Sequence, residues 1–423
     1  MSWDRRWAVR SRCCISILAC CSVLTGSLSF AKDLPLEERH NPSGLNGNFT
    51  FTGSKFADYI TSTRGMIAKA RSDLNNSNRE YVIDGNSPFE EKPPGTCPPG
   101  KTKPYRRGIL LTHGLTDSPY FLRSLGQFFK DNCFRVMAIL LPGHGTRPGD
   151  LLEVKWQDWA KAEAFGVDAL SAEADEVYLL GFSTGGTLSI YQSFQDKRIR
   201  GLFLFSPALK VSLMAVMANW HEAYDWLAPR SKWVDVMPDR DPFKYESFPA
   251  NAADQIHLLS TLVRSKTDKR KFMIPVFVAA SEDDASVNTV ATLEFFSQAI
   301  HPLNAMVLYS TNVDSAKSAA SEKIAKVNSV FPEQRILSSA HTAIVLPPED
   351  QHYGTKGDYA NCIYYFPKEI EKYTACNIGK FDFLGELTDE NLKKGIIRRL
   401  MYNPNYQSLQ KNLKSFIDSL PVE

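Results

Sequence analysis

The stretch "VYLLGFSTGG", residues 177–186, carries the reading of the whole chain. Val177 to Leu180 form an apolar run without a charge, the pattern of a strand buried on both faces. The run ends in Gly181-Phe182-Ser183-Thr184-Gly185, and "GTLSIYQSF" after it suits a helix. G-x-S-x-G arises by chance in chains of this length; the strand-turn-helix setting gives it meaning. A turn that tight leaves no room for side chains two residues either side of the serine, which accounts for Gly181 and Gly185. The helix that follows would aim the positive end of its dipole at the hydroxyl.

Outward from this turn the chain alternates between short aliphatic runs and helical patterns. "GILLTHG", "FRVMAILLPGHG", "EVYLLG", "GLFLFSP" and "PVFVAAS" predict parallel strands, each nearly continuous in apolar character. Between the first two, Ser118 and Pro119 predict a capped helix start, with Phe121, Leu122, Leu125, Phe128 and Phe129 on one face. Trp156, Trp159, Ala160 and Val167 mark another helix. The fold class is therefore α/β: a mostly parallel central sheet, doubly wound, with helices on both faces. Upstream, Phe56, Tyr59, Ile60, Ile67 and Leu74 predict a helix, "EYVIDG" a strand, and "EEKPPGTCPPGKTKP" a loop. Between Pro207 and Lys271 the alternation breaks. That segment holds Trp220, Tyr224, Trp226 and Trp233, with Met214 and Met217, and predicts an inserted cap over the carboxyl ends of the strands, where open sheets bind ligands. The expected organisation is a signal peptide over 1–31, a lead over 32–106, a core from 107–207 and 272–423, and a cap over 208–271.

The chain has 423 residues, 43% of them hydrophobic and 23% charged, enough for a sizeable core and too apolar for wholesale disorder. Its formal net charge is +2, and Arg5, Arg6, Arg10 and Arg12 against Asp4 contribute +3, leaving the rest near −1. A near-neutral body has no electrostatic footprint for nucleic acid. The basic cluster instead opens an export signal: "MSWDRRWAVRSR", the uncharged "CCISILACCSVLTGSLSF", and "SFA" ending at Ala31. An uncleaved anchor and a lipoprotein attached at Cys20 are the alternatives. Export predicts a periplasmic or secreted protein. The four cysteines after the signal, Cys97, Cys133, Cys362 and Cys376, then predict two disulfides, with the local pairs 97–133 and 362–376 preferred among three connectivities. No Cys/His grouping has metal-ligand spacing, so no zinc site is expected; the sequence implies no other metal and no organic cofactor.

A serine hydroxyl needs a base, and the base needs an acid to hold its tautomer. On a doubly wound sheet with this elbow the order along the chain is Ser, acid, His. "SEDDASV" after a late strand supplies Glu282, Asp283 and Asp284. His341, after "RILSSA", is the base that fits. His301, ahead of Pro302, ends a helix on the wrong side of the sheet, and His352 sits in a polar loop. His113 and His144 precede the serine and read as structural loop residues. The oxyanion needs two backbone donors: the amide of Thr184, and that of Leu115 in the turn "THGLTDSP".

These residues resemble the serine α/β-hydrolases, specifically the bacterial carboxylesterase and monoacylglycerol-lipase-like group. The resemblance rests on "LLTHGLTDSPY", "LPGHGTRPGDL", "GFSTGG", "DPFKYESFP", "SEDDASV" and "SSAHTAIVLPPED", in family order over 107–350. It implies Ser183 as nucleophile, Asp284 as acid and His341 as base. Ser281 stands where the group's acid motif has Gly, and a long segment separates acid from histidine; Asp314 within it is a second candidate acid. The implied activity is hydrolysis of carboxylic esters, with a small-molecule ester or lipid as partner and a membrane surface left open as the place of work. A thioesterase, amidase or acyltransferase would use the same triad. A non-catalytic binding module is the alternative from another class.

Overall fold

The computed structural model describes residues 34–46, 49–51, 55–211, 229–269, 271–312 and 322–421. The signal-like segment therefore lies outside the described residues. So do Trp220, Tyr224, Trp226, Met214 and Met217 of the expected cap, and Asp314.

Five strands come first: β1 (Phe89–Glu91), β2 (Tyr105–Thr112), β3 (Phe134–Ile139), β4 (Ala174–Phe182) and β5 (Ile199–Phe205). A small antiparallel pair follows, β6 (Trp233–Asp235) and β7 (Phe248–Pro249). Then come β8 (Val276–Ser281), β9 (Ala305–Ser310) and β10 (Ile324–Asn328). Among the described residues the central sheet has eight strands in the order β1-β3-β2-β4-β5-β8-β9-β10. Within it only β1 runs antiparallel to its neighbour. Two further strands, β11 (Phe383–Gly385) and β12 (Ile397–Arg399), form a separate parallel pair.

The helices are α1 (Phe56–Ala70), α2 (Arg79–Asn86), α3 (Arg123–Asp131), α4 (Trp156–Glu173), α5 (Thr184–Gln195), α6 (Ala250–Thr267), α7 (Thr289–Gln298), α8 (Ile370–Asn377), α9 (Asp389–Leu392) and α10 (Tyr406–Ser419). Alternation along each strand splits the core in two. Leu110, Leu179, Leu202, Leu204, Val276 and Val278 face one side with residues of α4, α5 and α6. Ile109, Leu111, Leu180, Phe203, Phe205 and Phe277 face the other with residues of α3 and α10. Both faces being dry is why these strands read as unbroken apolar runs. The fold is the α/β class expected, with helices on both faces.

Four local expectations are corrected. "EYVIDG" lies in α2, not in a strand. An asparagine-rich turn starts that helix: Asn75 Oδ1 accepts the N–H groups of Ser77 and Asn78, and the Asn78 carbonyl accepts from Val82. The Val82–Ile83 pair mimics a strand, but both side chains bury from a helix. The edge strand β1 instead begins at Phe89 and takes the first two residues of the expected loop. Ser118 does not cap with its side chain; a 3₁₀ turn over Pro119–Leu122 carries the chain into α3. Within the 208–271 segment, α6 is no cap element, because Ile256, Leu259 and Val263 pack into the helix layer of the core.

The cysteines pair as preferred. Cys97–Cys133 and Cys362–Cys376 are disulfides, with Cα separations of 5.5 and 6.0 Å. Among the described residues no helix is long and apolar enough to cross a membrane.

Candidate active site

Ser183 sits between β4 and α5 with φ 52° and ψ −113°. That positive φ is strained for a serine and is held from both sides. Its N–H donates to the Phe205 carbonyl at 2.9 Å, and its carbonyl accepts from Thr187 and Ala208 at 3.2 and 3.0 Å. The two flanking glycines are obligatory sterically. A Cβ at Gly181 would lie 2.3 Å from Gly185, and one at Gly185 would lie 2.0 Å from the Thr112 carbonyl oxygen. Ser183 keeps 8% of its surface exposed at the carboxyl end of the sheet.

Asp284 and His341 meet although 57 residues apart: His341 Nδ1 lies 2.7 Å from Asp284 Oδ2. The other carboxylate oxygen, Oδ1, accepts the N–H groups of Ser286 and Val287, both at 2.9 Å. Burial pushes the Asp284 carboxyl up, but His341 and these two amides outweigh it and hold the group below its ordinary value. Asp284 is therefore an anion at neutral pH, and His341 Nδ1–H donates to it. The ring centroid of Phe182, next to the serine, is 5.1 Å from that of His341. No hydrogen bond joins Ser183 Oγ to the imidazole among the described residues, an open geometry common without a bound substrate.

The neighbouring acids are placed differently. Glu282 pairs with Lys326 at 2.8 Å and bonds the Ser310 hydroxyl. Asp283 Oδ1 accepts from the Thr311 hydroxyl at 3.5 Å. Burial, and then Glu282, push its carboxyl up to about 6.

The turn after β2 comes within reach of the serine: a Cβ at Gly114 would lie 3.2 Å from Ser183 Cβ. The turn is locked at Thr116 and Asp117. Thr116, at φ 65°, donates its N–H to His144 Nε2 at 3.0 Å and accepts at its carbonyl from Tyr245 N–H at 2.9 Å. Lys244 Nζ bonds the Thr116 hydroxyl at 2.9 Å and pairs with the buried Asp117. The amides of Leu115 and Thr184 donate to no protein group among the described residues.

His113, His144, His301 and His352 take no part in the Asp284–His341 bond. His113 Nε2 accepts from Leu141 N–H, while Nδ1 faces the Gly114 carbonyl. His144 faces the Pro142 carbonyl at 3.1 Å and is pushed down to about 4 by burial. Both are neutral props. His301 follows α7 and precedes β9, at the amino end of the sheet, far from the elbow in topology. His352 sits in a polar loop, as expected, but is buried there between Asp358 at 2.6 Å and Asp241 at 3.4 Å. Among the described residues no group of three metal-binding side chains forms.

Three features around the site escaped the sequence reading: Lys244 with Asp117, the pair Glu386 and Arg399 behind the acid, and Glu163 beneath the elbow. Glu163 left a signal, since it falls between Trp159 and Val167 on the apolar face of α4, one turn from each. The others left none.

Residues 109–312 match the α/β-hydrolase family. A thermostable monoacylglycerol lipase of Bacillus sp. (strain H-257) is 27% identical over 179 residues, 42% of this chain and 70% of that protein. A carboxylesterase of Bacillus subtilis (strain 168) is 24% identical over 187 residues, 43% of this chain and 74% of that protein. A solved structure of LipS and LipT, described as two metagenome-derived lipolytic enzymes, superposes with a TM-score of 0.45 at 20% identity, covering 53% of this chain and 87% of that one.

Proposed function

We propose that this chain, an α/β-hydrolase of the esterase and lipase-like group, is an exported serine hydrolase that cleaves carboxylic esters. The observation that carries the reading is the buried Asp284–His341 bond at 2.7 Å beside a strained Ser183. With Nδ1–H committed to Asp284, His341 presents Nε2 as the base. Ser183 Oγ attacks the ester carbonyl as Nε2 takes its proton. The amides of Leu115 and Thr184 receive the developing oxyanion, and the N-terminus of α5 adds its dipole. His341 then returns the proton to the leaving alcohol, and water releases the acyl group by the same steps in reverse.

Acyl esters, free or lipid-borne, fit the aromatic and Met-rich sequence over 214–226, read as part of a cap. The basic, then apolar, N-terminal sequence and the two disulfides favour an oxidising compartment outside the cytoplasm. A fluorophosphonate probe tests the reading: the adduct should map to Ser183, and Ser183→Ala should lose both label and nitrophenyl-ester hydrolysis while melting like the parent. Hydrolysis retained by Ser183→Ala sinks it. Thioesters and anilides of matched acyl length, run beside the esters, rank the other reactions open to the same triad.

A further inference from the structure

Glu386 is a carboxylate with no exposed side-chain surface, and it lies beyond the stretch that matches the family. It accepts five hydrogen bonds. Two come from Arg399, Nε at 2.7 Å and Nη2 at 3.0 Å, and one from Leu387 N–H at 2.8 Å. The other two come from the loops that carry the acid and the base: His341 N–H at 2.9 Å and Ala285 N–H at 3.4 Å. Arg399 Nη2 reaches on to Ser286 Oγ at 2.7 Å, and Ser286 N–H is one of the two amides held by Asp284 Oδ1.

The contacts close a ring. It runs from the Asp284 carboxylate through Ser286, Arg399 and Glu386 to the His341 backbone, and returns through the imidazole to Asp284. The polypeptide supports the ring from behind. Glu386 follows β11, whose Leu384 carbonyl accepts from Leu337 N–H, and Glu386 N–H itself donates to Ser338 Oγ. Arg399 ends β12, and its N–H donates to the carbonyl of Asn361, beside Cys362 of the second disulfide.

We propose that the buried Glu386–Arg399 pair is the positioning element that holds the Asp284 loop and the His341 loop in register and keeps the field at the imidazole balanced. The proposal rests on His341 being the proton carrier. Burying an ion pair this completely is costly, and apolar residues would fill the space at least as stably. An unpaired charge at this place would be felt by the imidazole. Desolvation disfavours the charged guanidinium of Arg399, and Glu386 more than offsets it; with Glu386 neutralised the arginine still stays charged, because a guanidinium is basic far above neutral pH and Asp284 continues to face it.

Among the described residues the groups facing the cluster are Asp284, Asp283 and Tyr364, with Glu390 facing Asp283 and Asp117 facing His341 from the turn after β2. Glu386→Gln keeps shape and an acceptor oxygen but leaves Arg399 uncompensated. Its positive charge then disfavours the imidazolium. The acid limb of kcat/KM against pH, read with a nitrophenyl ester, should move down by about one pH unit. Asp283 would move in the same direction. Adding Arg399→Met, which neutralises the pair, should return the limb to the parent's position; purely structural damage would accumulate instead.

A folded Glu386→Gln with an unmoved limb overturns the proposal, as does a double variant that stays shifted. If Glu386→Gln does not fold, Ser286→Ala decides: cutting the link from Arg399 to the acid loop should lower kcat several-fold at unchanged KM, and unchanged kcat overturns the proposal. A parent protein that neither hydrolyses the ester nor takes the fluorophosphonate at Ser183 refutes the hydrolase reading itself. Labelling at Ser183 with an unmoved limb refutes only the role of the pair.

Discussion

Glu163 offers the sharpest test of the electrostatics under the elbow. It lies on α4 with no exposed surface. Oε1 accepts from Ser189 Oγ of α5 at 2.8 Å and from Thr112 Oγ1 at the end of β2 at 3.3 Å. Oε2 has no partner. Burial pushes its carboxyl from 4.5 up to about 8, the two hydroxyls resisting only in part. The native protein thus holds a proton that the unfolded chain releases above pH 4.5. A raised carboxyl contributes stability that is fully present below the unfolded value and is lost as pH rises through the folded one. At pH 7 the unfolded carboxyl is 2.5 units past its midpoint while the folded one stays protonated, so the loss relative to pH 4.5 is about 3 kcal/mol. Glu163→Gln has no proton to lose. Both side chains leave a donor unpaired at the Oε2 position, so that cost largely cancels. Urea unfolding of parent and variant between pH 4.5 and 8, with disulfides intact, should show the variant's relative stability rising by about 3 kcal/mol from pH 4.5 to 7. Parallel stability curves would mean that Glu163 is ionised in the native protein and that its burial is compensated by a group not accounted for.

Asp284→Asn should keep the fold and reduce kcat by about ten-thousand-fold, because the amide imposes the wrong imidazole tautomer; loss of less than tenfold would favour another acid. Cys362→Ser with Cys376→Ser opens a loop of 14 residues and should cost about 3 kcal/mol in urea unfolding. His352 is raised: burial opposes its charge, but Asp241 and then Asp358 win. Its contribution to stability is complete below pH 6.5 and fades as pH rises through the folded value. Melting curves of His352→Gln across pH 5.5 to 8.5 should therefore lack this fall, and an equal fall in both proteins would assign it elsewhere.

The central strands and the elbow were legible because their causes are local. Two dry faces force an unbroken apolar run, and a tight turn excludes any Cβ at Gly181 and Gly185. The same locality misled at "EYVIDG", where two β-branched residues suggested a strand and the packing of α2 overrode them. The order of serine, acid and histidine could be argued from the chain, and the structure brings Asp284 and His341 together. Among the three adjacent acids only orientation distinguished Asp284, since it alone of the three turns its carboxylate to the imidazole.

What the sequence by itself determined is the set of parts whose chemistry depends on near neighbours: apolar strands, a glycine-flanked serine, and cysteines at spacings that allow local pairing. Tertiary structure alone decided which charges are buried together. Glu386 and Arg399 lie 45 and 58 residues past His341, and no periodicity or spacing marks a carboxylate that will be desolvated against a distant guanidinium. That outcome depends on the whole fold excluding water from one place, a collective property that no short window of residues contains.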